Sequence, residues 1–409
     1  MTAAMHRSGA AGETVSRLVV PALTLAVAVN IICSRALAVF LPVVAADLGT
    51  SVALLGQVPG ATLLLAGLLA LVAGPLADRY GHRRMLVIGV VSVVVSAVAT
   101  GLAPSFPILL AVTLVGAIAR ASVAPTAQAV VATMFAHERA RRRALSWVTA
   151  GFSTATIVGI PIMTTIAGLS SWRVSFFVLG ALALVAVVVV QRTLTESDTQ
   201  SAGPLSVRAL LDAYRPVWRH RPTTFVIAAS LTADMGVWCA MTYLASFFVQ
   251  QHAFSIEEVG WVFLAIGLLA LSGAVVTGGR LGASPLPALF VGRAVCGLFL
   301  SAALVLPVSW PVSVALVLLY APTSGITDMS TTLSLMAVSP AGRATTMTLR
   351  SAAVCVGMAL GSTIGGLLLA VSGYQAVGMF TFMLLLISTV CVWCAWTTRD
   401  RALAPASTA

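Results

Sequence analysis

The sequence predicts an all-α integral membrane protein of twelve transmembrane helices, arranged as two pseudo-symmetric six-helix bundles. Three observations carry that expectation. Hydrophobic residues make up 59% of the 409-residue chain and charged residues only 9%, against ~25% in a soluble domain. The apolar residues come in long runs separated by short loops that hold most of the arginines. The pattern also repeats: Arg143-Ala144-Leu145 through Gly159 to Trp172 overlays Thr345 through Gly361 to Tyr374, an offset of about 200 residues.

Taken in order, the polar segment 1–17 is an N-terminal tail. The apolar run behind it is long enough to cross a bilayer and has no small-residue cleavage site before Arg35, so it reads as a first span and not as a removable leader. At about 20 residues per crossing, spans are expected near 18–41, 53–77, 84–103, 106–132, 142–168 and 173–192, a first bundle over 18–192. A second bundle over 222–396 is expected from spans near 222–250, 257–281, 286–307, 310–336, 344–371 and 375–396. Between them 193–221 is a linker, polar over 196–203 and amphipathic over Leu205–Tyr214, where it is suited to lie on the membrane surface. The segment 397–409 is a C-terminal tail.

Charge then orients the spans. One set of loops carries Arg79, Arg83 and Arg84, then Arg139 with Arg141, Arg142 and Arg143, then Arg192 to Arg221, Arg280 with Arg293, and Arg343. The opposite set carries Asp47, Arg173, Glu257 and Glu258, and nothing charged over 103–107 or 307–311. The positive-inside rule places both termini and the linker in the cytoplasm, with the chain in the cytoplasmic (inner) membrane. The formal net charge of +11 would suggest nucleic acid in a soluble protein, but here it marks loops at a lipid surface. Every basic residue other than histidine is arginine, which excludes a Gly-Lys-Ser/Thr phosphate loop. Uphill work without such a nucleotide site draws on an ion gradient, so no cofactor is expected.

Six cysteines, Cys33, Cys239, Cys296, Cys355, Cys391 and Cys394, all fall in apolar segments. Cys391 and Cys394 have the spacing of a redox or zinc pair, but no histidine or second pair accompanies them. They are expected as small buried hydrophobes, and no metal site is expected. No nucleophile–base arrangement points to an enzyme.

The stretch Gly74-Pro75-Leu76-Ala77-Asp78-Arg79-Tyr80-Gly81-His82-Arg83-Arg84 is a charged hairpin between two apolar runs. It resembles the signature loop between the second and third helices of the major facilitator superfamily, with Gly74, Leu76, Ala77, Asp78, Arg79, Gly81, Arg83 and Arg84 filling the pattern. The resemblance extends over most of the chain, from about Arg17 to Arg399. It implies transport by rocking of two six-helix halves about a midplane cavity. The loop would then act as a conformational latch, Asp78 meeting the start of the eleventh helix near Thr345. A second-half echo, Gly279-Arg280-Leu281-Gly282-Ala283, has Ala283 in place of Asp78 and implies a weaker latch.

Charges well inside the spans are Arg35, Arg120, Asp234 and Asp328, in the first, fourth, seventh and tenth spans. The resemblance implies that those four helices line the cavity. Charges at that depth cost several kcal/mol unless paired or hydrated, so each is a functional candidate. Structural ion pairing is one reading. The other makes Asp234 or Asp328 the proton carrier, tuned by a neighbouring arginine or by bound substrate, with Asp234 nearer mid-membrane. The arginines are also suited to hold an anionic substrate group by bidentate contact.

The fifth span reads Gly151-Phe152-Ser153-Thr154-Ala155-Thr156-Ile157-Val158-Gly159-Ile160-Pro161. It resembles the fifth-helix motif of proton-coupled exporters in the superfamily, carried by Gly151, Gly159 and Pro161, without the run of glycines that follows the proline there. The glycines permit close helix contact and Pro161 removes a backbone donor. General packing glycines are the plainer reading. Ser171-Trp172-Arg173 with Phe176-Phe177 resembles the junction after that helix in bacterial drug and sugar-efflux members. One departure stands in the fourth span: the arginine usual four residues before a glycine is Val112 before Gly116, and Arg120 lies further on.

Asn30 and Thr232 are expected as cavity hydrogen-bonding groups, and Trp238, Tyr243, Trp261 and Tyr320 as stacking surfaces for a flat or cationic ligand. For each aromatic, packing or an interfacial belt is the competing role. The expected function is a monomeric, proton-coupled exporter of small amphipathic drugs or metabolites, with protons, substrate and lipid as its partners. An importer or facilitator of the same fold, or a non-transporting membrane sensor, remains open.

Overall fold

The computed structural model describes residues 2–135, 137–194, 220–280, 285–338 and 343–403. The amphipathic linker segment and the Gly282-Ala283 echo fall outside those residues, and the side chains of Asp78 and Thr345 fall outside the described ones. Among the described residues every regular element is helical. The first half holds α1 (Thr2–Asp47), α2 (Gln57–Tyr80), α3 (His82–Leu102), α4 (Phe106–Met134), α5 and α6 (Trp172–Thr193). Helix α5 joins Glu138–Thr154, a π-helical turn Ala155–Gly159 and Ile160–Leu169. The second half holds α7 (Arg221–Met241, continued by Leu244–His252), α8 (Ile256–Arg280), α9 (Pro285–Val305) and α10 (Trp310–Val338). The last stretch, Arg343–Leu403, is α11 and α12, divided at Gly373.

Ten of the described helices are long and apolar enough to cross a membrane. One of these, Leu349–Thr398, contains two passes. Gly373 sits at φ 74, ψ −168, outside the helical region. On α7, Asp234, Met235 and Cys239 meet Gly357, Gly361 and Gly365 in rising order. Beyond Gly373 the order falls: Ser388 bonds Ala229, Thr381 bonds Gly236 and Tyr374 bonds Gln250. The chain therefore reverses at Gly373. With α5 this gives the multi-pass membrane architecture expected from the sequence. Large apolar side chains such as Leu68, Leu184, Val275, Leu298 and Val390 point outward, as they do on helices bathed in lipid.

Local sequence explains the ends. Ser171 accepts from the Val174 amide at the start of α6. Ser255 and Glu258 form a reciprocal capping box on α8: Glu258 Oε2 accepts from the Ser255 amide at 2.8 Å, and Ser255 Oγ from the Glu258 amide at 3.2 Å. The signature stretch is shorter as a loop than expected. Helix α2 runs through Gly74 and Asp78 to Tyr80, and Gly81 alone, at φ 92, separates it from α3. A left-handed φ there favours glycine.

The chain divides into two compact units, Met1–Gly49 with Leu65–Gly203 and Thr50–Leu64 with Pro204–Ala409. In the first, α3 packs against α4 and α6, and α1 against α5 and α6. One end is tied by Arg173, which donates to Asp47 Oδ2 at 2.8 Å and to the carbonyls of Gly101 and Ala103 at 3.1 and 2.9 Å. Trp172 Nε1 donates to the same Asp47 oxygen, and the Arg173 guanidinium lies 4.5 Å from the Trp172 ring centre. Arg83 donates to the Gln191 carbonyl at 2.9 Å, meeting the negative end of α6. In the second unit α7 packs on α11 and α12, and α9 on α10 and α12. Helices α8 and α10 touch backbone to backbone where Gly273 meets Pro322 and Gly325 meets Ala270, with no room for a methyl group at either glycine.

Candidate functional site

In the first unit one polar cluster within the spans is built by α1, α4 and α5. Arg35 donates to Thr156 Oγ1, which lies inside the π-helical turn. Arg120 donates from Nη2 to the Ser34 carbonyl at 2.9 Å, and Ser34 Oγ donates to the carbonyl of the buried Asn30 at 2.8 Å. Cys33 lies within reach of Arg120 and of the Ser96 hydroxyl. The fifth-helix motif supports this cluster. Gly151 lies against the Thr24 backbone and Gly159 against Ile32, so α5 approaches α1 closely. Ile160 donates its amide to the Ala155 carbonyl, five residues back, just before Pro161 interrupts the ladder.

The second unit brings the two aspartates together. Asp234 of α7 interacts electrostatically with Asp328, Arg293 and Arg350. Close helix packing places each of them. Gly357 of α11 rests on α7 beside the Asp234 Cβ, and Arg350 lies two turns earlier on the same face of α11. Arg350 pairs with Asp328 at 3.7 Å and donates to Thr332 Oγ1 at 3.2 Å. Gly292 of α9 packs on Thr327 of α10, and its neighbour Arg293 donates to Thr331 Oγ1 at 3.2 Å. Arg293 is only 4% exposed, and its Nε finds no acceptor among the described residues. Asp328 is the open member, its side chain 68% exposed. The result is two carboxylates and two guanidinium groups within the membrane spans.

Arg293 and Arg350 were not singled out from the sequence. Arg293 was expected in a loop with Arg280. The structure places it inside α9, within the run Phe290-Val291-Gly292-Arg293-Ala294-Val295-Cys296, and that flanking apolarity was its signal.

The remaining expected residues have varied surroundings. Tyr320 is buried beside Cys296, within reach of Asp328 and Asp234. Tyr243 is fully buried, and its hydroxyl donates to the Ser362 carbonyl at 2.8 Å. Trp261 is exposed on α8, and Trp238 is half-buried on α7. The Thr232 hydroxyl returns to the Ala228 carbonyl of its own helix at 3.0 Å. In the signature stretch Arg79 lies 5.7 Å from the Tyr80 ring centre and Arg84 is exposed. Among the described residues no cluster of histidine, cysteine and acidic side chains has metal-holding geometry.

Comparison with known proteins agrees with this architecture. The chain is 30% identical over 379 residues to a Pseudomonas aeruginosa protein named transcription regulatory protein OpdE, covering 87% of this chain and 90% of that one. It is 33% identical over 261 residues to the cephamycin export protein CmcT of Amycolatopsis lactamdurans, covering 62% of this chain and 48% of that one. The fold matches a crystal structure of a bacterial homologue of the human lysosomal transporter Spinster, with a TM-score of 0.73, 16% identity and coverage of 93% and 96%. The family model of the Major Facilitator Superfamily matches residues 23–346, and the chain belongs to that superfamily of membrane transporters.

Proposed function

We propose that the protein is a proton-coupled exporter of small amphipathic drugs or metabolites, working by alternating access. The observation that carries this reading is the cluster of Asp234, Asp328, Arg293 and Arg350 within the spans. A carboxyl group so placed exchanges between a proton and a guanidinium partner as the helices around it shift. Such an exchange couples proton movement to conformation. Asp234 is the proton carrier in this reading, with Asp328 as its open neighbour. Arg35 and Arg120, the only arginines well inside the spans on α1 and α4, are suited to hold an acidic or hydrogen-bonding substrate group. The fifth-helix motif and the printed name of CmcT, an export protein, favour outward transport. Asp78 serves as a conformational latch, with both termini in the cytoplasm.

The test uses acid-loaded inverted vesicles and a panel of antibiotics, dyes and sugars. Substrate-induced proton release is expected in the wild type and is expected to vanish in Asp234→Asn, while substrate still binds. Release that survives the substitution removes the proton from Asp234. A second reading, a non-transporting sensor, is favoured by the printed name of OpdE. It predicts ligand binding without flux across sealed vesicles for every compound.

A further inference from the structure

Two adjacent threonines of α10 hold the two guanidinium groups of the second unit. Arg293 of α9 donates from Nη2 to Thr331 Oγ1 at 3.2 Å, and Arg350 of α11 donates from Nη1 to Thr332 Oγ1 at 3.2 Å. In each threonine the hydroxyl proton is already committed to the carbonyl four residues back. Thr331 donates to the Thr327 carbonyl at 2.7 Å and Thr332 to the Asp328 carbonyl at 3.0 Å. The oxygen lone pairs therefore serve the arginine. A hydroxyl is a neutral acceptor, so it fixes a guanidinium in place and leaves its full charge uncancelled.

The two arginines then differ. Arg350 also has a carboxylate, Asp328, at 3.7 Å. Among the described residues Arg293 has no carboxylate at ion-pair distance, although it is 4% exposed and its Nε has no acceptor. A buried guanidinium held by one neutral bond is costly unless a charged partner comes within reach. Asp234 is the complementary case. It lies in electrostatic range of Arg293, yet among the described residues it makes no hydrogen bond and no ion pair. The two side chains come from helices in contact, since α7 packs against both α9 and α10. The charged and titratable groups around Asp234 are Arg293 and Cys296 from α9, Asp328 and Tyr320 from α10, and Arg350 from α11. Helix α12, packed along the same stretch of α7, brings Thr381, Leu384 and Ser388.

We propose that Thr331 is a positioning residue for proton coupling: it holds Arg293 off Asp234 while that carboxyl carries its proton, and yields Arg293 to the carboxylate once the proton has left. The proposal rests on the reading of Asp234 as the proton carrier. Infrared difference titration of the purified full chain tests it without substrate or vesicles, through the carbonyl stretch of a protonated carboxyl group. The Asp234 component is the one lost in Asp234→Asn. Thr331→Val keeps the side-chain shape and removes the acceptor, which weakens only the protonated state. At fixed pH it should lower the ratio of protonated to ionised Asp234 on the order of tenfold. Thr331→Ala should do the same without a branched side chain, and Thr331→Ser should stay within about twofold of wild type. Arg293→Gln removes the partner of the ionised state and should raise the ratio. Opposite signs at the two ends of one hydrogen bond are what a transfer requires, because general loosening of the cluster moves both variants the same way. A ratio unchanged in Thr331→Val and Thr331→Ala overturns the positioning role and leaves Asp234 as the carrier. So does a serine variant that behaves like valine, or a shift of the same sign in Thr331→Val and Arg293→Gln. A carboxyl signal with no component lost in Asp234→Asn overturns the carrier and the positioning role together.

Discussion

Arg173 and Arg293 show how differently one residue type can be used in this chain. Arg173 sits at the end of the spans, where its fork joins Asp47 to the carbonyls of Gly101 and Ala103 and so ties α1, α3 and α6 together. Its side chain is 32% exposed, so solvent tempers the ion pair, but the two carbonyl bonds need a planar donor. Arg173→Ala is expected to lower stability by about 1–2 kcal/mol in thermal unfolding, with Arg173→Lys recovering only part. A melting temperature equal to wild type would show that the junction carries no strain when untied. Arg173 was visible in the sequence as a loop charge beside Trp172. Arg293 was not, because charge counting assigns an arginine near a predicted helix end to the loop. Its apolar neighbours place it a full two turns inside α9, and only the packing of α9 on α10 shows that it reaches Thr331 and comes within range of Asp234. Intramembrane charge was legible one helix at a time; which charges share a site depends on glycine contacts such as Gly292 on Thr327, between residues far apart in sequence.

Among the elements, α5 is the one whose irregularity bears on function. Pro161 offers no amide, and the ladder ahead of it widens to a π-helical turn over Ala155–Gly159. That turn presents Thr156 to Arg35. The sequence showed the missing donor at Pro161 but not the register change, since a proline can be absorbed as a kink or a widened turn with the same residues. The break at Gly81 falls inside the charged hairpin expected over 74–84, and the break at Gly373 between the spans expected over 344–371 and 375–396; both glycines adopt a positive φ. Pro161→Ala restores an amide that can close a regular α-helical turn. The expected outcome is unchanged or higher thermal stability together with slower transport, because Thr156 rotates away from Arg35. Transport at the wild-type rate in a variant of equal stability would detach the π-turn from the transport cycle.

At the scale of the whole molecule, Thr50–Leu64 packs within the same compact unit as 204–409 although it lies early in the chain. The seam is built from small residues and backbone groups. Ser362 Oγ donates to the Gly56 carbonyl at 2.7 Å, and Tyr243 donates to Ser362 from behind. Gly60 faces Thr363 and the Ala359 carbonyl, while Gly366 faces Tyr243 and the Ala53 carbonyl. Hydrogen bonds between helices in lipid average only about 0.6 kcal/mol, so a seam of this kind is held by close fit more than by any strong pair. In the proposed alternating-access cycle, contacts need that balance: tight enough to seal, weak enough to open. Gly366→Val tests the fit directly, because its branched side chain meets Tyr243 and the Ala53 carbonyl where glycine leaves only contact distance. In a background without native cysteines, Ala53→Cys should label with maleimide about tenfold faster when Gly366→Val is also present, as the seam is wedged open. Substrate binding should persist while turnover falls, since one state of the cycle can no longer form. Slow labelling with normal turnover would mean that the helices accommodate the wedge and that this seam does not gate transport.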